Sequence, residues 1–395
     1  MKKIKKVSML LVVSMIFTLI AGGCTKQQST AGDGESQGPV TESAAADKGI
    51  GEDGWTVGFT YMPPTDSLSA AFRKTLDYTA EQFGCKMVYG ETTENTPDEK
   101  LNILQNHIQA GVDAYITINP SAAMIEQLDK NGIYFVDGGS TITDPDTLAL
   151  AQASEFYCGS IMGDEVQAGY DLCRQVYDAG SRNIAYLALT AGLASSHDDR
   201  VRGIEKFAEE HSDLKIATSY RGIDYFTSSG PTDEILAAFP KIDGIISTGN
   251  VPTIPAAVYS VGKEKDIKYA AIDYQNGIDE WFQDGFLVGC EVGQYPVMQL
   301  CFTTLYEALS TGDILIANRN EPVNGSYLWI SNFEEYEDYL KYVEGDVQAY
   351  TGDELKKMCG KFNTDATLEE RQQMLVDTWN QYSLADVMSR HKDLL

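Results

Sequence analysis

From Trp55 onward, short apolar runs alternate with helix-length amphipathic segments, and few folds accept that order. Val57 to Tyr61 reads as a strand, Leu68 to Phe83 as a helix stopped by Gly84, and Lys86 to Tyr89 as a second strand. Thr96-Pro97-Asp98-Glu99 opens the next helix, which runs through Ala110, with proline in its first turn and Gly111 past its last. Ala114 to Ile118 is a third strand, Ala122 to Lys130 a helix, and Tyr134 to Val136 a fourth strand that ends in Asp137. Strands separated by helices pair in parallel through right-handed crossovers. After a loop rich in Thr, Asp and Ser the alternation resumes. Helices over Val166 to Tyr177, Arg200 to His211, Thr232 to Phe239 and Ile254 to Gly262 are interleaved with strands over Asn183 to Leu189, Lys215 to Ser219 and Gly244 to Ser247. The chain therefore holds two α/β units, alike in pattern without repeating one another's sequence.

Tyr269 to Pro296, YAAIDYQNGIDEWFQDGFLVGCEVGQYP, reads as strand, carboxylate, helix, strand, glutamine. Ligands of α/β sheets sit at the carboxyl ends of strands, so Asp273 and Gln294 are two ligand-facing positions delivered by consecutive strands. The alternative is structural: each caps the helix that follows it.

The N-terminus carries an address. Lys2, Lys3, Lys5 and Lys6 precede an apolar run from Val7 to Ile20, followed by Ala21-Gly22-Gly23-Cys24. This resembles a bacterial lipoprotein signal, with Ala21 standing where leucine is more usual. The resemblance implies cleavage after residue 23 and a diacylglycerol on the sulfur of Cys24. A membrane span needs about 20 apolar residues, more than this run provides. Residues 25–53 are small, polar and acidic, the composition of a flexible tether that would hold a folded body on the order of 30 Å from the membrane. Acidic residues outnumber basic ones 58 to 30, which excludes nucleic acid as a partner. The six remaining cysteines, Cys85, Cys158, Cys173, Cys290, Cys301 and Cys359, form no CxxC and no metal-ligand spacing with histidine. They fit small buried hydrophobes better than a disulfide framework.

"VGFTY", "AGVDAYITINPS", "GIYFVDG", "DDRVRGIEKF", "IDGIISTGN", "AIDYQNG" and "VGQYPVMQL", in this order, make residues 55–331 resemble the type I periplasmic binding proteins of ABC transporters, nearest to the pentose and hexose binders. The resemblance implies an α/β fold of two Rossmann-like parallel-sheet lobes joined by three crossover strands, which close on ligand about a hinge. Lobe 1 is expected over 54–159 and 295–322, and lobe 2 over 160–294 and 323–345. Carried over residue by residue, the ligand-binding set is Asp137, Arg200 at the opening of its helix, Asn250, Asp273 and Gln294. Tyr61 and Tyr225 are the aromatic residues that would stack on a sugar. The chemistry fits: hydroxyls need acceptors, a forked donor and amides, and apolar C–H faces pack on rings. Arg200 could instead pair with Asp199 at the surface. Gly138 stands where ribose binders have an arginine, and Tyr61-Met62-Pro63-Pro64-Thr65 replaces an Asn-rich turn, leaving the cleft wall stiffer and more apolar. The segment from Asn332 to Leu395 lies past the usual end of the family, with 346–395 expected as a helical extension. Apolar spacing and the Thr367-Leu368-Glu369-Glu370 capping pattern predict that Asn332 to Leu395 adds two or three helices against one lobe.

No GxSxG, P-loop, HExxH or GxGxxG is present, and His107, His197, His211 and His391 are scattered. The expectation is therefore a binder rather than an enzyme, without metal or cofactor. It would be a monomeric extracytoplasmic lipoprotein held to the membrane through Cys24, which delivers a small molecule, a monosaccharide first, to an ABC-transporter permease. The alternative is a sensor that presents a nucleoside, an amino-acid derivative or an autoinducer to a membrane receptor.

Overall fold

A computed structural model describes residues 54–249, 251–273, 277–345 and 347–394. The expected leader, Cys24, the tether and Asn250 lie outside the described residues. The first unit alternates β1 (Thr56–Tyr61), α1 (Ser67–Phe83), β2 (Lys86–Glu91), α2 (Pro97–Gln109), β3 (Ala114–Thr117), α3 (Ala122–Lys130), β4 (Tyr134–Gly138), α4 (Pro145–Ala153) and β5 (Tyr157–Gly163). The second continues with α5 (Glu165–Asp178), β6 (Asn183–Ala188), α6 (Ser195–Glu210), β7 (Lys215–Arg221), α7 (Gly230–Ala238), β8 (Gly244–Ser247), α8 (Thr253–Ser260), β9 (Lys268–Ile272), α9 (Ile278–Gln283) and β10 (Leu287–Val292). Then come α10 (Val297–Thr311), β11 (Val323–Gly325), β12 (Leu328–Ile330), α11 (Phe333–Tyr342), α12 (Gly352–Lys356), α13 (Leu368–Asn380) and α14 (Leu384–His391).

Two six-stranded sheets result, in the orders β11-β5-β4-β3-β1-β2 and β12-β10-β9-β8-β6-β7. All pairings are parallel except β10 with β12. The inner strands are buried on both faces because helices cover both sides, which is why they read as apolar runs. Local chemistry sets the helix ends: Asp66 accepts from the Ser69 amide at 2.8 Å to start α1, and Gly84, at φ 67°, stops it.

The segment expected as a loop before residue 166 contains α4 and β5. Asp144 caps α4 by accepting from the Thr147 amide at 2.8 Å, with Pro145 in the first turn, so the Thr-Asp-rich stretch is a helix start. The β5 sequence YCGSIMG is fully buried yet rich in small residues, which hides its strand character. Because β5 and β11 belong to the first sheet, the chain changes lobes at Gly163–Asp164, at Gly293–Pro296 and at Ser326–Tyr327. The first and third crossings fall a few residues beyond the expected boundaries. Cys158, Cys173, Cys290, Cys301 and Cys359 are buried thiols, as the spread along the chain suggested.

The C-terminal segment departs furthest from expectation. It forms four helices, α11 to α14, and holds to both lobes instead of one. The turn between α13 and α14 sits on the hinge and bonds to all three crossings. Trp379 Nε1 donates to the Met162 carbonyl at 2.6 Å, and Tyr382 OH donates to the Gly293 carbonyl at 2.6 Å. Ser326 donates from its amide to the Trp379 carbonyl at 3.2 Å and from Oγ to the Asn380 carbonyl at 2.8 Å. The Trp379 and Tyr382 rings stack with centroids 5.3 Å apart, and both are fully buried.

Candidate functional site

Strand ends and crossings enclose a cavity of about 1000 Å³ between the lobes. Lobe 1 supplies the end of β1 and the start of α1. Tyr61 closes β1 with its ring against Phe59 and Phe72, at centroid distances of 6.1 and 5.5 Å. Burial and the carboxylates of Asp66 and Asp273 raise its pKa, so it faces the cavity as a neutral hydroxyl. Met62 and Leu68 add an apolar wall, and Asp66 and Lys74 add charge.

Asp273 follows β9 with φ at 69°, a conformation that costs a non-glycine residue energy and turns its side chain across the strand end. Helix α9 begins later and is flanked by Gly277, so Asp273 does not cap it. Gln294 caps nothing either: Pro296 holds the cap position of α10, without a side-chain bond. Instead Gln294 Nε2 donates to Asp273 Oδ1 and, at 3.2 Å, to Glu291 Oε2. Burial pushes the Asp273 carboxyl up to about 6, with Arg200 holding it down and Glu165 pushing it further up. Burial likewise drives Glu291 well above the carboxylate range, and among the described residues its buried Oε1 takes no hydrogen bond.

Arg200 lies behind this floor. Its Nε and Nη2 donate to Glu165 at 2.5 and 3.0 Å, and Nη1 donates to the Thr248 carbonyl at 2.8 Å. Tyr327, from the third crossing, donates to the same Glu165 at 2.7 Å. The surface partner weighed for Arg200, Asp199, pairs with Arg202 instead. Two features draw Arg200 inward. Helix α6 begins at Ser195, five residues before the expected start, which places Arg200 in its second turn. Gly169 and Gly203 let α5 and α6 touch backbone to backbone; a Cβ at Gly169 would overlap the Arg200 carbonyl. That approach sets the guanidinium against Glu165 at the head of α5.

Of the expected ligand residues, Tyr61, Asp273 and Gln294 line the cavity. Arg200, Asp137 and Tyr225 are buried behind it. Asp137 accepts from Ser140 Oγ at 2.8 Å, the Asn119 amide at 2.9 Å and Thr117 Oγ1 at 3.2 Å, and burial pushes its carboxyl up to about 7. No arginine could follow it, because a Cβ on Gly138 would stand 2.8 Å from Cys301 Sγ where α10 packs on β4. Tyr225 lies in a short 3-10 turn, Asp224–Phe226, that buries it completely and presents Phe226 to the cavity.

Several lining residues escaped the sequence reading. Phe226 adjoins the expected Tyr225, and the aromatic pair was visible while its orientation was not. His197 reaches the cavity because α6 starts early. Its Nδ1 pairs with Thr248 Oγ1 at 2.7 Å, and burial, with the positive charges of Arg200 and Arg221, lowers it to about 3, so it is neutral. Tyr339, Leu340 and Glu344 come from the extension, where no motif marked them. Among the described residues, no group of three or more His, Cys, Asp or Glu is arranged to hold a metal. The cavity thus offers carboxylates, an amide carbonyl and aromatic rings, a set suited to a small hydroxylated molecule.

Two parallel-sheet lobes with such a cleft define a two-lobed solute-binding protein. The chain belongs to the periplasmic binding protein family: the model described as "Periplasmic binding protein domain" matches residues 57–313, more than half of the 395. This is a solute-binding family, generally non-enzymatic, whose name locates it outside the cytoplasm. The chain is similar in fold to an ABC transporter periplasmic solute binding protein from Actinobacillus succinogenes with bound D-allose (TM-score 0.63, 18% identity, 72% of this chain and 100% of that one). It is likewise similar to a periplasmic sugar-binding protein from Pseudomonas fluorescens (TM-score 0.64, 15% identity, 84% and 99%). A solute binding protein from Bacillus halodurans with bound myo-inositol shares the fold at TM-score 0.60 and 17% identity, over 73% and 98% of the two chains. Among curated proteins, Catabolite control protein A of Priestia megaterium is 24% identical over 167 residues, 42% of this chain. That match spans less than half, 46%, of that protein's length. No helix among the described residues is long and apolar enough to cross a membrane.

Proposed function

We propose that this protein is an extracytoplasmic, lipid-anchored solute-binding protein that takes a small polar ligand, a monosaccharide first, between its lobes and delivers it to an ABC-transporter permease. The observation that carries the reading is the cavity itself. Asp273 and Gln294 stand at consecutive strand ends as acceptors for hydroxyls, and the rings of Tyr61 and Phe226 line the same cavity. Asp137, Arg200 and Tyr225 support that floor from behind, and Asn250 belongs to it by sequence position. Bound-sugar neighbours of the same fold support the choice of ligand class. Contacts from both lobes favour a closed state about the three crossings. The leader ending at Cys24 supports the anchor. A second reading, a less hydroxylated ligand such as a nucleoside presented to a membrane receptor, draws on the apolar wall of Met62, Leu68 and Phe226.

A thermal-shift screen of pentoses, hexoses, inositols, nucleosides and amino acids tests the reading. A ligand at ~100 times its dissociation constant stabilises by roughly 2.7 kcal/mol, a visible shift in melting temperature. Stabilisation by a sugar supports the proposal, and stabilisation by nucleosides alone moves the assignment to the second reading. No response to any carbohydrate at millimolar concentration overturns sugar binding.

A further inference from the structure

The cavity is longer than its floor. Its inner part, around Tyr61, Phe226, Asp273 and Gln294, is the site described above. Its lining then continues along α1 from Asp66 to Lys74. The eight helical steps from Asp66 to Lys74 rise about 12 Å, more than one six-membered sugar ring. The outer part is walled on its far side by the C-terminal extension, through Tyr339, Leu340 and Glu344.

The outer part is built as a polar site. Tyr339 OH and Tyr295 OH both donate to Glu344 Oε1, at 2.5 and 3.2 Å, which fixes the carboxylate. Among the described residues its Oε2 takes no hydrogen bond and remains an acceptor. Opposite, Lys74 Nζ donates to the carbonyls of Glu344 and Gly345 at 2.9 and 3.2 Å, which ties this wall to lobe 1 and leaves one ammonium hydrogen over. Leu340, 41% exposed, offers an apolar face beside them. An acceptor, a donor and an apolar face repeat the chemistry of the inner floor on a second surface.

We infer that the extension builds an outer subsite continuous with the inner one, so that the preferred ligand is a disaccharide or glycoside whose second unit lies between α1 and Leu340–Glu344. The inference rests on the sugar-binding reading. Cavity size agrees with it, since about 1000 Å³ stands at the upper end of the roughly 300–1,000 Å³ usual for ligand clefts. Lys74 of lobe 1 and Tyr295 of the second crossing hold the outer wall in place through their bonds to Glu344.

Calorimetric titration of the full chain with D-glucose, D-galactose and D-xylose, beside cellobiose, lactose and xylobiose, provides the test. One disaccharide should bind at least tenfold tighter than its parent monosaccharide. Leu340→Trp, which fills the outer part from a partly exposed position, should bring that ratio close to one. Glu344→Gln should lower it at least threefold, serving as the second variant should the tryptophan disturb α11. Equal affinities for monosaccharide and disaccharide, or a ratio that neither variant alters, overturns the outer subsite and leaves sugar binding standing. Failure of every carbohydrate to bind the wild type overturns the sugar-binding reading and the subsite with it.

Discussion

Replacing Arg200 with alanine separates a structural arginine from a ligand-contacting one. The Arg200 and Glu165 side chains are 6% and 3% exposed, so the pair is desolvated. Truncating the arginine leaves Glu165 buried with only the Tyr327 hydroxyl, close to Asp273 and Glu291. Removing one member of a buried pair costs about 3–5 kcal/mol, because the remaining charge is left without compensation. Arg200→Ala should therefore lose about that much in urea denaturation of the unliganded protein, followed by far-UV circular dichroism. Replacing both partners, Glu165→Leu with Arg200→Met, should recover at least half, since an apolar pair of similar volume is often neutral. The part not recovered belongs to the Thr248 carbonyl and the Tyr327 hydroxyl, each losing a bond worth about 1 kcal/mol. Ligand affinity also falls in Arg200→Ala, as a secondary effect, because the guanidinium lowers the pKa of Asp273 and of Glu291. A stability loss under about 1 kcal/mol, the range of exposed pairs, would refute this account and return Arg200 to a direct ligand role.

Burial raises Asp137 to about 7 and Asp273 to about 6, so the folded state binds protons that the unfolded chain has released. Their contribution to stability is complete below the unfolded carboxylate pKa and is lost as pH rises through 6 and 7. Neutral His197 acts in the opposite direction below pH 6.5, so the Asp137 contribution is read against Asp137→Asn: from pH 5 to 8 the wild type should lose on the order of 2–3 kcal/mol relative to that variant; a stability difference that does not change with pH rejects the assignment. Trp379→Phe keeps the buried ring and removes the donor to Met162, so it should cost about 1–3 kcal/mol and speed amide exchange across residues 162–164, 293 and 326; exchange that rises only within α13 would show that the turn does not restrain the hinge. Cys24→Ala should abolish lipid labelling and release the protein from membranes, and a variant that still matures and partitions into detergent contradicts the anchor.

Tyr61, Asp273 and Gln294 were legible because a parallel sheet makes position along a strand equivalent to position in space. Residues just past the apolar end of such a strand stand at the crevice edge, where they face the ligand unless another element covers them. The alternation of strands and helices likewise determined two parallel-sheet lobes, since it follows from local periodicity and from the right-handedness of crossovers. Arg200, Tyr225 and Asp137 depended on more. The Gly169–Gly203 approach turned the arginine inward, a short 3-10 turn exchanged the facing of Tyr225 and Phe226, and the packing of α10 on β4 enclosed Asp137. Each outcome was set by a contact between elements, which periodicity along one element does not encode. The extension is the extreme case: Trp379 meets Met162 217 residues away, and Glu344 meets the cleft through Tyr295 from the second crossing. Its helices could be read from their own spacing and caps, but only tertiary packing decided which surfaces those helices would cover, because the partners of a buried side chain are chosen by the whole core.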